Sequence, residues 1–425
     1  MLQNHKKGLL GVFRLVKALL SLRYDTKPLR WTFMTKQSKA VFGNENIDPT
    51  YAGIHGFAGA LAKELKSWTF RFFDLPDALY QNFKSEHVRL FSQIPADEQH
   101  DVYYYRKKQW YRQQLILTSL PEEAEHHDPF RYGGVYVVIG GAGGIGRAWS
   151  EQLIRDHQAK LVWIGRRALD SDIESQIEHL AQFGARPLYI NADAGNRADL
   201  QRALQRIKSA YRKIDGLVHS AMVLKDRSIM TMDEKDFLEV LASKVDVCVN
   251  LAQVFCNEDL DFVLFFSAVN SFLKAPGQSN YAAACTFEDS FGAYLNKRWK
   301  CPVKVINWGY WGAVGAVASA KQRRRMREAG IASIEINEAM PIIRHVLADK
   351  HAQWAIIKTA LKESKNENSW LNTICNEQGL LKMMNQDEQM QKVPQKTDFH
   401  FSTLKERLLG YDHHNEIQRL LEQVR

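Results

Sequence analysis

The 425-residue sequence has no apolar run long enough to cross a bilayer. Its nearest approach, Gly8-Leu-Leu-Gly-Val-Phe-Arg-Leu-Val-Lys-Ala-Leu-Leu20, is broken by Arg14 and Lys17, and no small-residue cleavage site follows. The segment therefore reads as an amphipathic helix and not as a signal peptide. Cysteine is scarce: the five residues at 248, 256, 285, 301 and 375 are odd in number and lack metal-ligand spacing. That excludes a disulfide framework, offers no metal site, and fits a reduced, cytoplasmic protein. The net charge is +9, yet there is no nucleic-acid motif and no basic stripe interleaved with aromatics. The sharpest basic cluster, Lys321-Gln-Arg-Arg-Arg-Met-Arg327, reads either as a solvated helix face or as a surface for a phosphate-bearing or acidic protein partner.

What is present begins with Val135-Tyr-Val-Val-Ile-Gly-Gly-Ala-Gly-Gly-Ile-Gly146. Five strand-forming residues run into a glycine loop, and the loop runs into a segment carrying Ile145, Trp149 and Leu153 at helical spacing. Strand, tight turn and helix N-terminus in that order form a dinucleotide site, because the bare backbone can approach a pyrophosphate and the helix end receives its charge. Gly140, Gly141, Ala142, Gly143, Gly144, Ile145 and Gly146 are the candidate loop. About twenty residues on, an enzyme using NAD would often place an acid for the ribose 2′-hydroxyl; here stand Arg166 and Arg167. A guanidinium can grip a 2′-phosphate, so the pair points to NADPH, with a solvated basic turn as the other reading. Asp193, after the apolar run Pro187-Leu-Tyr-Ile-Asn191, reads as an acceptor for the adenine amine or as a helix cap.

From 135 to about 360, short apolar runs alternate with helical patterns. Expected strands are 135–139, 161–164, 187–191, 216–219, 261–266, 303–307 and 353–358, and the alternation predicts a doubly wound parallel α/β sheet with helices on both faces. Residues 1–132 read as a separate, smaller α/β unit without a phosphate-binding loop. It has a helix at its start, a strand at 29–35, a helix at 51–66 and a strand at 68–73. Residues 133–362 form the cofactor-binding unit. The remainder, 363–425, reads as a polar linker followed by a helix at about 402–424 carrying Leu404, Leu408, Leu409, Ile417, Leu420 and Leu421.

Two further residues carry chemistry. Tyr281 opens a helix in Ser279-Asn-Tyr-Ala-Ala-Ala-Cys285, and Lys244 lies on the preceding long helix in Leu241-Ala-Ser-Lys-Val245. A reductase that delivers hydride to a ketone must also protonate the new alkoxide. A tyrosine hydroxyl can do so when a neighbouring ammonium lowers its pKa.

Together with Phe265-Phe-Ser-Ala268, Pro276-Gly-Gln-Ser-Asn-Tyr281, His219-Ser-Ala-Met222 and Asn307-Trp-Gly-Tyr-Trp-Gly312, these residues resemble the ketoreductase domains of modular polyketide synthases. Lys274-Ala-Pro-Gly-Gln-Ser-Asn-Tyr and Cys285-Thr-Phe-Glu-Asp resemble the trans-acyltransferase branch of that family, which lies within the short-chain dehydrogenase/reductase superfamily. The resemblance covers about 1–360. It implies a truncated Rossmann-like structural subdomain beside a Rossmann catalytic subdomain. It further implies NADPH held in part by Ala194, Ser220 and Ala221, and a β-ketoacyl substrate tethered to the phosphopantetheine of an acyl carrier protein among neighbouring synthase domains. Leu224-Lys-Asp226 resembles the loop of B-type reductases, and Leu273 stands where the A-type carries tryptophan. Asp226, Leu273 and Cys285 are thus the expected substrate-orienting positions.

Two positions depart from the family. The catalytic serine, thirteen residues before the tyrosine, is replaced by Ala268, and the asparagine four residues after it by Cys285. Ser267 is one step along a strand and points to the other face. A natural loss, an engineered change, or compensation by Asn270 or Ser271 are all compatible with Ala268. The expectation is a ketoreductase weakened by Ala268; a non-reducing scaffold or epimerase-like domain is the alternative. A nucleotide-sensing regulator would leave the Lys–Tyr pair unexplained.

Overall fold

In a computed structural model, residues 1–359 are described apart from 85–86, 89–90, 92–93, 117–127 and 315–319. The expected linker and final helix of 363–425 lie outside the described residues. Among those described, no helix is long and apolar enough to cross a membrane.

The larger sheet holds β5 (Val135–Ile139), β6 (Lys160–Gly165), β7 (Leu188–Asn191), β8 (Gly216–His219), β9 (Phe262–Ala268), β10 (Val303–Trp308) and β11 (Gln353–Ile356). All pair in parallel, in the order β11-β10-β9-β8-β5-β6-β7. The order reverses between β5 and β8, which opens a crevice beyond their carboxyl ends, where such sheets bind ligands. Both faces are covered, so the strands are apolar throughout. Val135, Val137 and Ile139 face one helix layer, while Tyr136 and Val138 face the other.

On the second face lie α3 (Gly144–His157), α4 (Ser171–Ala181) and a helix at Ile336–Ala348, burying Leu153, Ile177 and Ile343 among others. On the first face lie α5 (Arg197–Ala210), α6 (Glu234–Val254) and α7 (Ser279–Asn296).

The smaller unit begins with α1 (Leu2–Ser21), followed by β1 (Leu29–Lys36), α2 (Gly53–Glu64) and β2 (Trp68–Leu75). It also contains β3 (Tyr103–Arg106) and β4 (Gln109–Arg112), in the sheet order β1-β2-β3-β4 with only β3–β4 antiparallel. That hairpin was not expected from the sequence. Its two turn residues, Lys107 and Lys108, have φ of 49° and 64°. The conformation normally asks for Asn-Gly, so a Lys-Lys turn gives no signal.

The units are fastened by packed helices. The α1 face His5, Leu9, Phe13, Val16 and Leu20 is buried, and Phe13 stacks on Phe237 of α6 at 4.4 Å. Helix α2 lies directly on α7. A Cβ at Gly56 would fall 2.2 Å from the carbonyl oxygen of Ala282, so only glycine allows the two backbones this approach. At the end of α2, the Glu64 carboxylate accepts from Ser228 Oγ at 2.8 Å and from the Gly277 amide at 2.9 Å. One side chain of the smaller unit thereby ties together two loops of the larger one.

Gly56→Ala is expected to destabilise the protein by about 1–3 kcal/mol, as overpacking against backbone does. Urea denaturation checks this: the midpoint falls while the slope is kept. An unchanged midpoint would mean that the helices separate freely.

Candidate active site

The crevice is a cleft of about 1120 Å³. Its floor is the glycine loop. Gly140 has φ +84°, and a Cβ there would meet the Ala221 amide nitrogen at 2.7 Å, where the end of β8 closes on the loop. Gly143, Gly144 and Ile145 present the first turn of α3 to the cleft. An α-helix N-terminus leaves amides without intrahelical partners, which suits a pyrophosphate. Gly141 and Gly146 do not line the cleft. They allow close packing, against Trp163 and against the Gly140 carbonyl oxygen. Ala142 is likewise outside the lining and packs on the second-face core.

At one end of the cleft lie Arg166, Asp193 and Ala194, with Ser220 and Ala221 at its middle. The two arginines part company. Arg166 lines the cleft, whereas the Arg167 guanidinium is held by Asp170 at 3.0 Å and Asp172 at 2.7 Å, outside the lining. Two nearby carboxylates, one on the first turn of α4 and one capping it, hold Arg167 in this structure. Asp193 is not the cap of α5; Asn196 is, accepting from the Ala198 amide at 2.9 Å. Asp193 turns back to accept from the Gly195 amide at 2.9 Å and stays in the cleft wall.

The opposite end holds Tyr281, Ala268, Asp226 and Leu273. Asp226 accepts from Gln278 Nε2 at 2.6 Å. Ser267, which also lines the cleft, and Ser271 receive Asn307 Nδ2 at 3.2 and 3.0 Å in a buried network beside Asp289.

Lys244 is fully buried and lies outside the lining. Its ammonium donates to the Phe266 carbonyl at 2.9 Å and to Glu288 Oε2 at 2.6 Å. Burial alone would lower its pKa, but the Glu288 carboxylate outweighs it and holds the ammonium above the ordinary lysine value. Burial pushes the Glu288 carboxyl the other way, up to about 7, against the pull of Lys244. Burial also drives the Tyr281 phenol well above its usual range, and Cys285, Glu288 and Asp226 push it further. Burial and these neighbours oppose the lowering expected from Lys244, whose ammonium is bonded to Glu288. Cys285 was expected to orient the substrate. It is completely buried, faces Tyr281 from within α7, and does not line the cleft.

The donor atoms of His219, Cys248 and Glu288 lie within 4.8 Å of one another. The Lys244 ammonium already supplies the positive charge that this group would ask of a metal.

A glycine loop, a cleft at the switch point and a tyrosine on the far wall make an oxidoreductase site in outline. Residues 134–313 match the KR domain family model. The chain belongs to the ketoreductase-domain family of polyketide synthases. It is 44% identical over 360 residues to polyketide synthase PksN of Bacillus subtilis (strain 168), covering 85% of this chain. To PksM of the same organism it is 42% identical over 373 residues, covering 87%. It spans 6% and 8% of the length of those two relatives. Among solved structures it resembles a ketoreductase domain from the bacillaene assembly line. The TM-score is 0.70 at 22% identity, covering 85% of each chain. It also resembles A-type ketoreductases of modular synthases, with a TM-score of 0.71 at 21% identity, covering 82% of this chain and 72% of the other. Domains of this family are nicotinamide-dependent oxidoreductases.

Glu288 was missed by the sequence reading of the KR site. The signal was available: Tyr281, Cys285 and Glu288 recur at i, i+4 and i+7, and Lys244 and Cys248 at i, i+4, which places them on facing helix sides.

Glu288→Gln, which leaves the buried ammonium without its counter-charge, is expected to cost about 3–5 kcal/mol. The double variant Lys244→Met with Glu288→Leu is expected to lose less, since no lone charge is left. Chemical denaturation of the variants checks this; a Glu288→Gln protein as stable as the parent would contradict the pairing.

Proposed function

We propose that this domain is an NADPH-dependent reductase of β-ketoacyl groups, slowed by the absence of the family serine. The observation that carries the reading is the division of one cleft between Arg166 at one end and Tyr281 at the other. Arg166 is placed to receive a 2′-phosphate, and an arginine fork suits that dianion. Asp193 and Ala194 flank the same end, and Ser220 and Ala221 lie where the nicotinamide half would pass.

When bound, the cofactor supplies a hydride to the ketone carbon. The carbonyl π pair then moves onto oxygen, and the Tyr281 proton completes the hydroxyl. The phenolate recovers its proton from solvent. Asp226, bonded to Gln278, and Leu273 line the cleft, and the resemblance of Leu224-Lys-Asp226 to the B-type loop supports a B-type outcome. Ala268 offers no hydroxyl to the developing oxyanion, and one such donor is worth about 10²–10³ in rate.

The substrate in this reading is carried on the phosphopantetheine arm of an acyl carrier protein. Helix α8 (Ala320–Glu328) supports that partner. Its Arg325 and Met326 line the cleft, and among the described residues Arg324 pairs within the helix, with Glu328 at 2.9 Å. An exposed cationic mouth suits an anionic arm and an acidic carrier.

A second reading, a non-reducing scaffold, is favoured by one observation: Ala268 stands in the cleft at the family serine position and offers no hydroxyl. Reduction under saturating NADPH separates the two. The parent chain is expected to consume NADPH slowly with a β-ketoacyl thioester, and Ala268→Ser is expected to raise kcat while cofactor affinity stays the same. No NADPH consumption by either protein, with cofactor bound, would favour the scaffold. Titration of both nicotinamides tests Arg166: NADPH is expected to bind more tightly than NADH, and Arg166→Ala to lose about 1.5–3 kcal/mol of that preference. Equal affinities in the parent would overturn the assignment of NADPH.

A further inference from the structure

At the end of β9 several side chains stand near the vacated serine position, and they are not equivalent. Ser267 and Ser271 are spent in the network around Asn307 and Asp289, and the Ser271 hydroxyl also lies 3.2 Å from the Ala268 carbonyl. Asn270 lies two residues beyond Ala268, is 6% exposed, and lines the same cleft as Tyr281. Its carboxamide orientation is fixed. Oδ1 accepts from the Ala275 amide at 2.9 Å, an amide N–H that only an oxygen can satisfy. The other end of the carboxamide, Nδ2, is therefore a donor, and it is buried without a hydrogen-bond partner. A buried donor left unpaired is costly, and it is retained where a ligand completes it.

We propose that the Asn270 carboxamide N–H binds the substrate carbonyl oxygen and offsets part of the loss of the serine hydroxyl, so that Ala268→Ser still adds a second donor. The inference rests on the reductase reading of the cleft but is measured separately from it. A donor whose carboxamide is held by a backbone amide needs little reorganisation as negative charge grows on the oxygen. It also accounts for a family member that keeps its tyrosine while lacking the serine. The neutral amide donates no proton; that remains the task of Tyr281.

The test uses the full chain with NADP⁺, from which no hydride can pass, and an acetoacetyl thioester of N-acetylcysteamine isotopically labelled at the ketone carbon. Infrared difference spectra are expected to show the bound ketone stretch at lower frequency than in water. The shift is expected to vanish in Asn270→Asp, which keeps the acceptor for Ala275 but replaces the donor, and in Asn270→Ala. NADP⁺ affinity, followed in parallel, reports that both variants are folded. With NADPH the same variants are expected to lose about 10²–10³ in kcat. No shift in the parent, or a shift kept in both variants, overturns the proposal. A shift that depends on Asn270 in a chain that consumes no NADPH would uphold the proposal while removing the reductase reading. NADPH consumption with a shift indifferent to Asn270 would do the reverse.

Discussion

The burial of helix α7 is the constraint on which the site depends. From Ser279 to Cys285 no residue is exposed, because α2 presses on it from the smaller unit, α6 lies beside it, and β9 and β10 lie beneath. A helix held on all sides places its side chains with little freedom. Tyr281 is thereby fixed on the cleft wall, Cys285 behind it, and Glu288 against Lys244. The approach of α2 hinges on Gly56, so the unit without a nucleotide loop sets the position of the residue that would donate the proton. Glu64, at the end of the same helix, then fastens the Ser228 and Gly277 loops on either side of the substrate end.

The larger sheet was legible in the sequence because each strand is buried on both faces and reads as a short apolar run between helical patterns. All seven expected strands are present, with ends that move by a few residues. The hairpin of β3 and β4 was not legible, since its Lys107-Lys108 turn adopts a conformation that its residues do not advertise. The glycine loop was legible as a unit, but not the division of labour within it. Which glycine faces the cleft and which serves packing depends on Trp163 and Ala221, distant in sequence.

Charged residues were the least legible part of the site. Arg166 and Arg167 are adjacent in sequence, yet only Arg166 lines the cleft, because carboxylates at 170 and 172 draw the other away. Lys244 is buried, and the helical spacing that puts Glu288 on the same side as Tyr281 becomes a pairing only where α6 and α7 pack face to face. The Lys244–Glu288 pair alters the chemistry more than a change of neighbour suggests. The ammonium is bonded at 2.6 Å to the carboxylate, and burial, with Cys285 and Glu288 beside it, holds the Tyr281 phenol above its usual range.

The central claim is that this cleft moves a hydride from a bound nicotinamide to a ketone. It is tested most directly with NADPH deuterated at the transferable position and a β-ketoacyl group loaded on a phosphopantetheine-bearing carrier protein, followed by mass spectrometry under single-turnover conditions. The account predicts slow appearance of a β-hydroxyacyl product with deuterium on the β-carbon. Recovery of the ketone, unreduced and unlabelled while the cofactor is bound, would contradict it.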